Sequence, residues 1–177
     1  MDVEVRKLRG IYASVVVSFV AGCLVFYAIF TQHLNLIDMT TALWAVLFFL
    51  LIAVLHEFVH YAVAKKYNPE ATIRVIPRLG GLLLDYVRLD YNQYVKTALA
   101  PLFFIQVPLT VAWILSGDII VLTLTVAHLL ASAVDIVCLF SAVISHRGAT
   151  FNMVYDEKGR VVGVVVERGD KIIFYQL

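Results

Sequence analysis

Residues 39–66 read MTTALWAVLFFLLIAVLHEFVHYAVAKK, and this stretch decides the class of fold. Over residues 39–64 it is apolar for longer than the roughly 20 residues that a helix needs to cross a bilayer. Three further stretches, residues 11–30, 97–115 and 119–145, are long and apolar enough for the same role. The sequence therefore predicts a membrane α-helical fold with four transmembrane helices.

The overall composition points the same way. Of the 177 residues, 62% are hydrophobic and 15% are charged, whereas a globular domain is about 45–50% apolar and about 25% charged. A soluble domain of this size cannot bury such an apolar excess, because it needs a polar surface. A net charge of +1 argues against nucleic-acid binding, which needs a strongly basic face. The lipid bilayer is the predicted partner, and nucleic acid is not.

The basic residues occur in only some of the regions outside the predicted helices. All 14 Lys and Arg residues lie before residue 11, between residues 65 and 96, or after residue 146, and the connections at residues 31–38 and 116–118 have none. Lys and Arg accumulate in cytoplasmic loops of membrane proteins. The sequence therefore predicts a multi-pass integral protein, in the cell membrane, with both termini and the middle connection in the cytoplasm.

The predicted cytoplasmic parts have the pattern of β-structure. Residues 72–77 and 81–90 flank Gly80-Gly81, which predicts a β-hairpin over about 72–90. After residue 146, strands at about 151–155, 161–167 and 171–175 are separated by turn-forming residues, which predicts a small β-meander. We therefore divide the chain into a transmembrane core, residues 1–146, and a cytoplasmic β-rich tail, residues 147–177.

Residues 56–60, H-E-F-V-H, form an H-E-x-x-H motif. On a helix, His56 and His60 share one face, so both imidazoles can bind a single metal ion. Glu57 lies beside them, where a carboxylate can take a proton from a metal-activated water. Ionisable groups inside a membrane helix are costly unless they are paired or bind a metal. The alternative is a set of polar side chains that hydrogen-bond to one another within a helical bundle.

A catalytic zinc site needs a third protein ligand, and Asp135 is the acidic residue within the other predicted transmembrane helices. Counted at about 1.5 Å per residue from the basic residue that follows each helix, His60, His56 and Asp135 lie at depths of about 8, 14 and 18 Å. These similar depths predict that Asp135 is the third ligand. The alternatives are a structural partnership of Asp135 with His128 or Ser132.

Three other polar groups lie in the last two predicted helices. Cys138 is a possible substitute ligand, although a buried cysteine commonly behaves as a small hydrophobe. His128 lies about 10 Å outward of Asp135 along the helix, too far to share its metal easily, so packing is expected, with substrate contact or a hydrogen bond as the alternatives. Gln106 lies mid-membrane and must find a partner, either on a neighbouring helix or on the backbone of a substrate.

The motif late in a transmembrane helix, the cytoplasmic hairpin after it, the Ala98-Leu99-Ala100-Pro101 opening of the next helix and Asp135 together suggest a family. Over roughly residues 39–145, the chain resembles the site-2-protease group of intramembrane zinc metalloproteases. It is most similar to a short membrane family described as putative zincin peptidases. In site-2 proteases the aspartate commonly lies in an Asn-Pro-Asp-Gly or Leu-Asp-Gly setting, whereas here Val134 and Ile136 flank it. The resemblance implies zinc and peptidase activity on membrane-bound proteins.

Residues and resemblance together predict a zinc-dependent peptidase that cleaves a membrane protein at or within the cytoplasmic half of the bilayer. His56, His60 and Asp135 would hold Zn²⁺, and Glu57 would be the catalytic base. Two other classes remain open. A membrane metal-binding or transport protein would not need Glu57 beside the ligands, and a non-catalytic membrane scaffold would need no metal.

Overall fold

The computed structural model of the chain describes residues 2–7, 39–76, 81–85, 87–158 and 161–176. The first predicted transmembrane helix, residues 11–30, lies outside the described residues. The described helices are α1 (Met39–Tyr67), α2 (Tyr91–Pro101), a π-helical turn (Leu102–Gln106), α3 (Val107–Ser116), α4 (Ile119–Ala131) and α5 (Ala133–Ser145). The strands are β1 (Asp2–Lys7), β2 (Thr72–Ile76), β3 (Gly81–Asp85), β4 (Arg88–Asp90), β5 (Thr150–Tyr155), β6 (Val161–Arg168) and β7 (Lys171–Gln176).

Among the described residues, two helical segments are long and apolar enough to cross a membrane. They are Leu43–Tyr67 within α1, with 25 residues and a mean hydropathy of 2.1, and Tyr91–Ser116, with 26 residues and a mean hydropathy of 2.0. Large apolar side chains cover their outer surfaces, including Trp44, Phe58 and Phe103, which are 57%, 54% and 71% exposed. Such a surface suits lipid rather than water. A mainly helical membrane fold is therefore plausible.

The predicted fourth transmembrane helix is not continuous. The sequence predicts one helix over residues 119–145, but α4 and α5 meet at a bend of 45°. Ser132 lies between them, and its hydroxyl donates a hydrogen bond of 2.9 Å to the carbonyl of His128, four residues earlier. Such back-bonding competes with the helical ladder and bends helices. The described residues therefore contain two helices that are long and apolar enough to cross a membrane, or three if the bent pair is one span, and four spans are not confirmed.

The second long helix begins earlier than predicted and changes its winding midway. Asp90 caps its first turn, because Asp90 Oδ1 accepts the Gln93 amide at 2.9 Å and Gln93 Oε1 accepts the Asp90 amide at 3.0 Å. At the π turn the Val107 amide donates to the carbonyl of Leu102. Pro108 follows at once and has no amide hydrogen for the helical ladder. The helix thus takes one extra residue in this turn.

The predicted β-hairpin is shorter than expected. β2 and β3 pair antiparallel, from Thr72 opposite Asp85 to Ile76 opposite Gly81. The sequence extends this hairpin to residue 90, but residues 88–90 form β4, which pairs with β5 in another sheet. The connection between the two long helices therefore contributes to two different sheets.

The C-terminal strands form the predicted meander within a larger sheet. The strand order is β1-β7-β6-β5-β4, and β5, β6 and β7 pair antiparallel in sequence order. β1 lies parallel to β7, with Asp2 opposite Lys171 and Lys7 opposite Gln176. The sequence does not predict β1 or the recruitment of β4. The tail is thus completed by β1 from the N-terminal segment and by β4 from the connection between the two long helices.

The main buried core lies where this sheet meets the helix ends. It joins Ala64 of α1, Ala142 of α5 and Leu89 of β4 to sheet residues such as Phe151 and Val166. This packing anchors the last turns of α1 and α5 to one platform. The site described below lies in the turns of α1 that precede Ala64.

His146 joins the end of α5 to the last strand. Its Nε2 atom lies 2.8 Å from the hydroxyl of Tyr175. Burial lowers the pKa of His146 below its ordinary value, and the positive charges of Arg6 and Arg168 lower it further. A neutral ring then accepts the hydrogen bond that the Tyr175 hydroxyl donates.

Candidate metal centre

The two histidines of the motif lie one turn apart on α1 and face the interior. His56 and His60 are only 8% and 7% exposed, although most of α1 presents apolar side chains outward. His60 Nδ1 lies 2.8 Å from the carbonyl oxygen of Thr97 on α2. A carbonyl only accepts, so His60 carries its proton on Nδ1. In the neutral ring, its Nε2 atom then has a lone pair directed toward His56 and Asp135.

Asp135 approaches the same point from α5. The interruption at Ser132 places Asp135 in the first turn of this helix, where a carboxylate is favoured by the helix dipole. Asp135 Oδ2 lies 2.9 Å from His56 Nε2 and 3.4 Å from His60 Nε2. The two Nε2 atoms are 3.2 Å apart. The structure thus brings together the three side chains that the sequence predicts as ligands.

The donor set fits zinc. All three ligand atoms lie within 4.8 Å of one another. Zinc–ligand bonds of about 2.0–2.2 Å in a tetrahedron separate neighbouring ligand atoms by about 3.3–3.6 Å. The observed separations are 2.9, 3.2 and 3.4 Å, so the longest lies within that range and the other two are slightly shorter. Two imidazoles and one carboxylate also match the ligands of a catalytic site, which keeps its fourth position open. That these atoms bind zinc is still a prediction.

The surroundings of these atoms favour a cation. The side chains of His56, His60 and Asp135 are 10%, 8% and 27% exposed. A carboxylate removed from water to this extent is costly unless a positive charge offsets it. Glu57, also partly buried, follows His56 directly on α1. If His56, His60 and Asp135 hold a divalent ion, the carboxylate of Glu57 is therefore on the residue next to one of its ligands.

Ser132 and His128, the two residues considered as structural partners of Asp135, form hydrogen bonds with other groups. The Ser132 hydroxyl donates to the carbonyl of His128. His128 Nε2 lies 3.1 Å from His56 Nδ1, and His128 Nδ1 lies 2.8 Å from Gln106 Oε1. Cys138, the possible substitute ligand, is not among the described residues whose donor atoms lie close enough together to hold a metal ion. The Asp135 carboxylate instead contacts the two histidines of the motif.

Sequence reasoning missed two contacts at this site. The link between His128 and His56 was not predicted, although His128 lies seven residues before Asp135 and so on the same helical face. The contact of Thr97 with His60 could not be predicted from the sequence. It is made by the backbone carbonyl of Thr97, and every residue type has a backbone carbonyl. Gln106 was expected to bond either to a neighbouring helix or to a substrate, and it contacts His128 on a neighbouring helix.

A scan of protein families gives an independent result. A family model described as "Putative zincin peptidase" matches residues 49–150. The matched range contains the whole motif, the hairpin, the second long helix and Asp135. No curated protein and no solved structure matches the chain.

Proposed function

The chain belongs to the family of putative zincin peptidases, and on that premise we propose that it is a zinc-dependent peptidase of the site-2-protease type. It hydrolyses a peptide bond of a membrane protein at or within the cytoplasmic half of the bilayer. The convergence of His56 Nε2, His60 Nε2 and Asp135 Oδ2 within 4.8 Å is the observation that supports this function. Glu57 beside that convergence favours an enzyme over a metal transporter.

The residues divide the chemistry among them. Zinc held by His56, His60 and Asp135 would supply Lewis acidity, which polarises the scissile carbonyl and acidifies the attacking water. Glu57 takes the proton of that water and returns it to the leaving amine. The Thr97 carbonyl keeps His60 in the tautomer whose Nε2 atom can bind a metal. Asp135 contributes the negative charge that offsets the dication.

The proposed substrate follows from where the site lies. The motif begins nine residues before Lys65, within an apolar segment of 25 residues. A transmembrane helix must unwind before hydrolysis, because its backbone groups are already hydrogen-bonded. The hairpin β2–β3 directly follows α1 and is a two-stranded sheet. Its edges are suited to receive an unwound segment by strand pairing.

The experiment that tests this function uses the double variant His56→Ala, His60→Ala. We expect one zinc per chain in the purified wild-type protein and none in the variant, since a single carboxylate binds zinc weakly. Comparing the membrane proteomes of cells with either protein should show full-length substrate accumulating with the variant. Full zinc occupancy in the double variant would disprove the site assignment, and unchanged proteomes would contradict the peptidase.

The orientation is tested by cysteine labelling in a background that lacks Cys23 and Cys138. We expect an impermeant thiol reagent added to intact cells to label Ser116→Cys and not Glu157→Cys. The reason is that the basic residues flank the second position and are absent from the connection at 116–118. Both side chains are exposed in the structure, so burial does not confuse the comparison. Labelling of Glu157→Cys from outside would reverse the orientation and place the site near the outer face.

A further inference from the structure

A chain of hydrogen bonds leads from α3 to the ring of His56. It begins at Thr110, whose hydroxyl donates to the backbone carbonyl of Gln106 at 2.8 Å. Because that hydroxyl hydrogen is used, its oxygen accepts from the side-chain amide Nε2 of Gln106, at 3.3 Å. These two bonds set the orientation of the Gln106 amide. Its Oε1 atom must then face His128.

The same logic sets the protons on two histidines. Gln106 Oε1 lies 2.8 Å from His128 Nδ1, and a carbonyl oxygen only accepts, so His128 carries its proton on Nδ1. His128 Nε2 then has a lone pair and accepts the Nδ1 proton of His56, at 3.1 Å. In the neutral ring of His56 the Nε2 atom then has a lone pair with which to bind a metal ion, and this is the atom that faces Asp135 and His60.

The π turn explains why Gln106 reaches this position. Thr97 and Gln106 are nine residues apart, which would place them about 180° apart around a regular α-helix at about 100° per residue. One extra residue in the π turn removes about 100° of that separation. Gln106 is thereby turned closer to the side of the helix that Thr97 occupies. The irregular turn thus supports both histidines of the motif from one helix.

We propose that His128, held by Gln106 and Thr110, is a positioning residue that sets the tautomer and ring orientation of His56 for metal binding. The inference rests on the proposed function, because His56 is a ligand only if zinc binds there. Ligating histidines commonly donate their other ring proton to a carboxylate, carbonyl or water. Here a buried neutral histidine, 1% exposed, accepts that proton. It avoids a further buried negative charge within the membrane.

The test measures zinc affinity of the purified full-length protein by competition with a chromophoric chelator. His128→Phe keeps a flat ring but has no atom to accept the His56 proton. We expect its zinc affinity to fall by about 10- to 100-fold, as for other partners of metal-bound histidines. His128→Gln restores an acceptor oxygen, so we expect most of the affinity to return. The absorption spectrum of the cobalt-loaded protein should change in the first variant and recover in the second.

The matched control is Thr125→Val, which removes another buried polar group of α4. The Thr125 hydroxyl donates to the Val121 carbonyl of its own helix, so the zinc affinity should be unchanged. If His128→Phe does not fold, Gln106→Leu decides the matter, with a smaller loss expected. Unchanged affinity in the folded variants overturns the positioning role while leaving the peptidase intact. A wild-type protein that binds no zinc would reject the proposed function and this inference together.

Discussion

Glu57→Gln is expected to abolish peptide hydrolysis while the protein keeps one zinc per chain. The substitution preserves the size of the side chain but removes the group that accepts and returns a proton. A positioned acid–base group contributes about 10²- to 10⁴-fold to a rate, so the rate should fall by at least that range. The ligand atoms of His56, His60 and Asp135 are untouched, so zinc content should equal that of the wild type. Metal analysis and substrate accumulation in the membrane proteome measure the two quantities.

Glu70→Gln is the matched control for this change. Glu70 lies in the turn after α1 and is exposed, so its substitution should alter neither zinc content nor cleavage. Continued cleavage by Glu57→Gln would show that another group is the base. Loss of zinc together with cleavage would show that Glu57 serves the metal rather than the water. A metal transporter, by contrast, would keep its function with glutamine at this position.

Asp135→Asn is expected to lower zinc affinity and hydrolysis together. An amide is a weaker, uncharged ligand, and the site would lose the charge that offsets a dication in a low-dielectric setting. Removing the hydrogen-bond partner of a ligand lowers metal affinity by about 10- to 100-fold. Here a ligand itself is replaced, so the loss of zinc affinity should be larger. Zinc retained per chain after dialysis against a mild chelator measures the effect. Activity should follow zinc content in parallel.

Asp118→Asn is a suitable comparison, because it makes the same chemical change away from the site. Asp118 caps α4, where Oδ1 accepts the amides of Ile120 and Val121 at 2.7 and 3.2 Å, and asparagine caps helices equally well. Zinc retention should be that of the wild type. Retention by Asp135→Asn at the same level would reject ligation by Asp135. Its contacts with His56 and His60 would then be hydrogen bonds within the bundle.

The sequence alone determined the features that depend on local spacing. His56 and His60 share a helical face because they are four residues apart, whatever the helix packs against. The long apolar stretches predicted membrane helices by composition alone, and two described helices are long and apolar enough to cross a membrane. The orientation that the basic residues indicate stays a prediction. The hairpin partners and the three C-terminal strands were also predictable, since turn-forming residues separate neighbouring β-rich stretches. Similar depths in the membrane then predicted that Asp135 lies near the motif.

Only the tertiary structure decided which distant groups meet. The pairing of β1 with β7 joins segments more than 160 residues apart, and no local pattern encodes such a register. The contact of His60 with the Thr97 carbonyl uses a backbone atom that every residue type possesses. The interruption at Ser132 and the π turn before Pro108 rotate Asp135 and Gln106 relative to regular helices. These rotations depend on how the helices pack, and so the link from Gln106 through His128 to His56 could be recognised only in three dimensions.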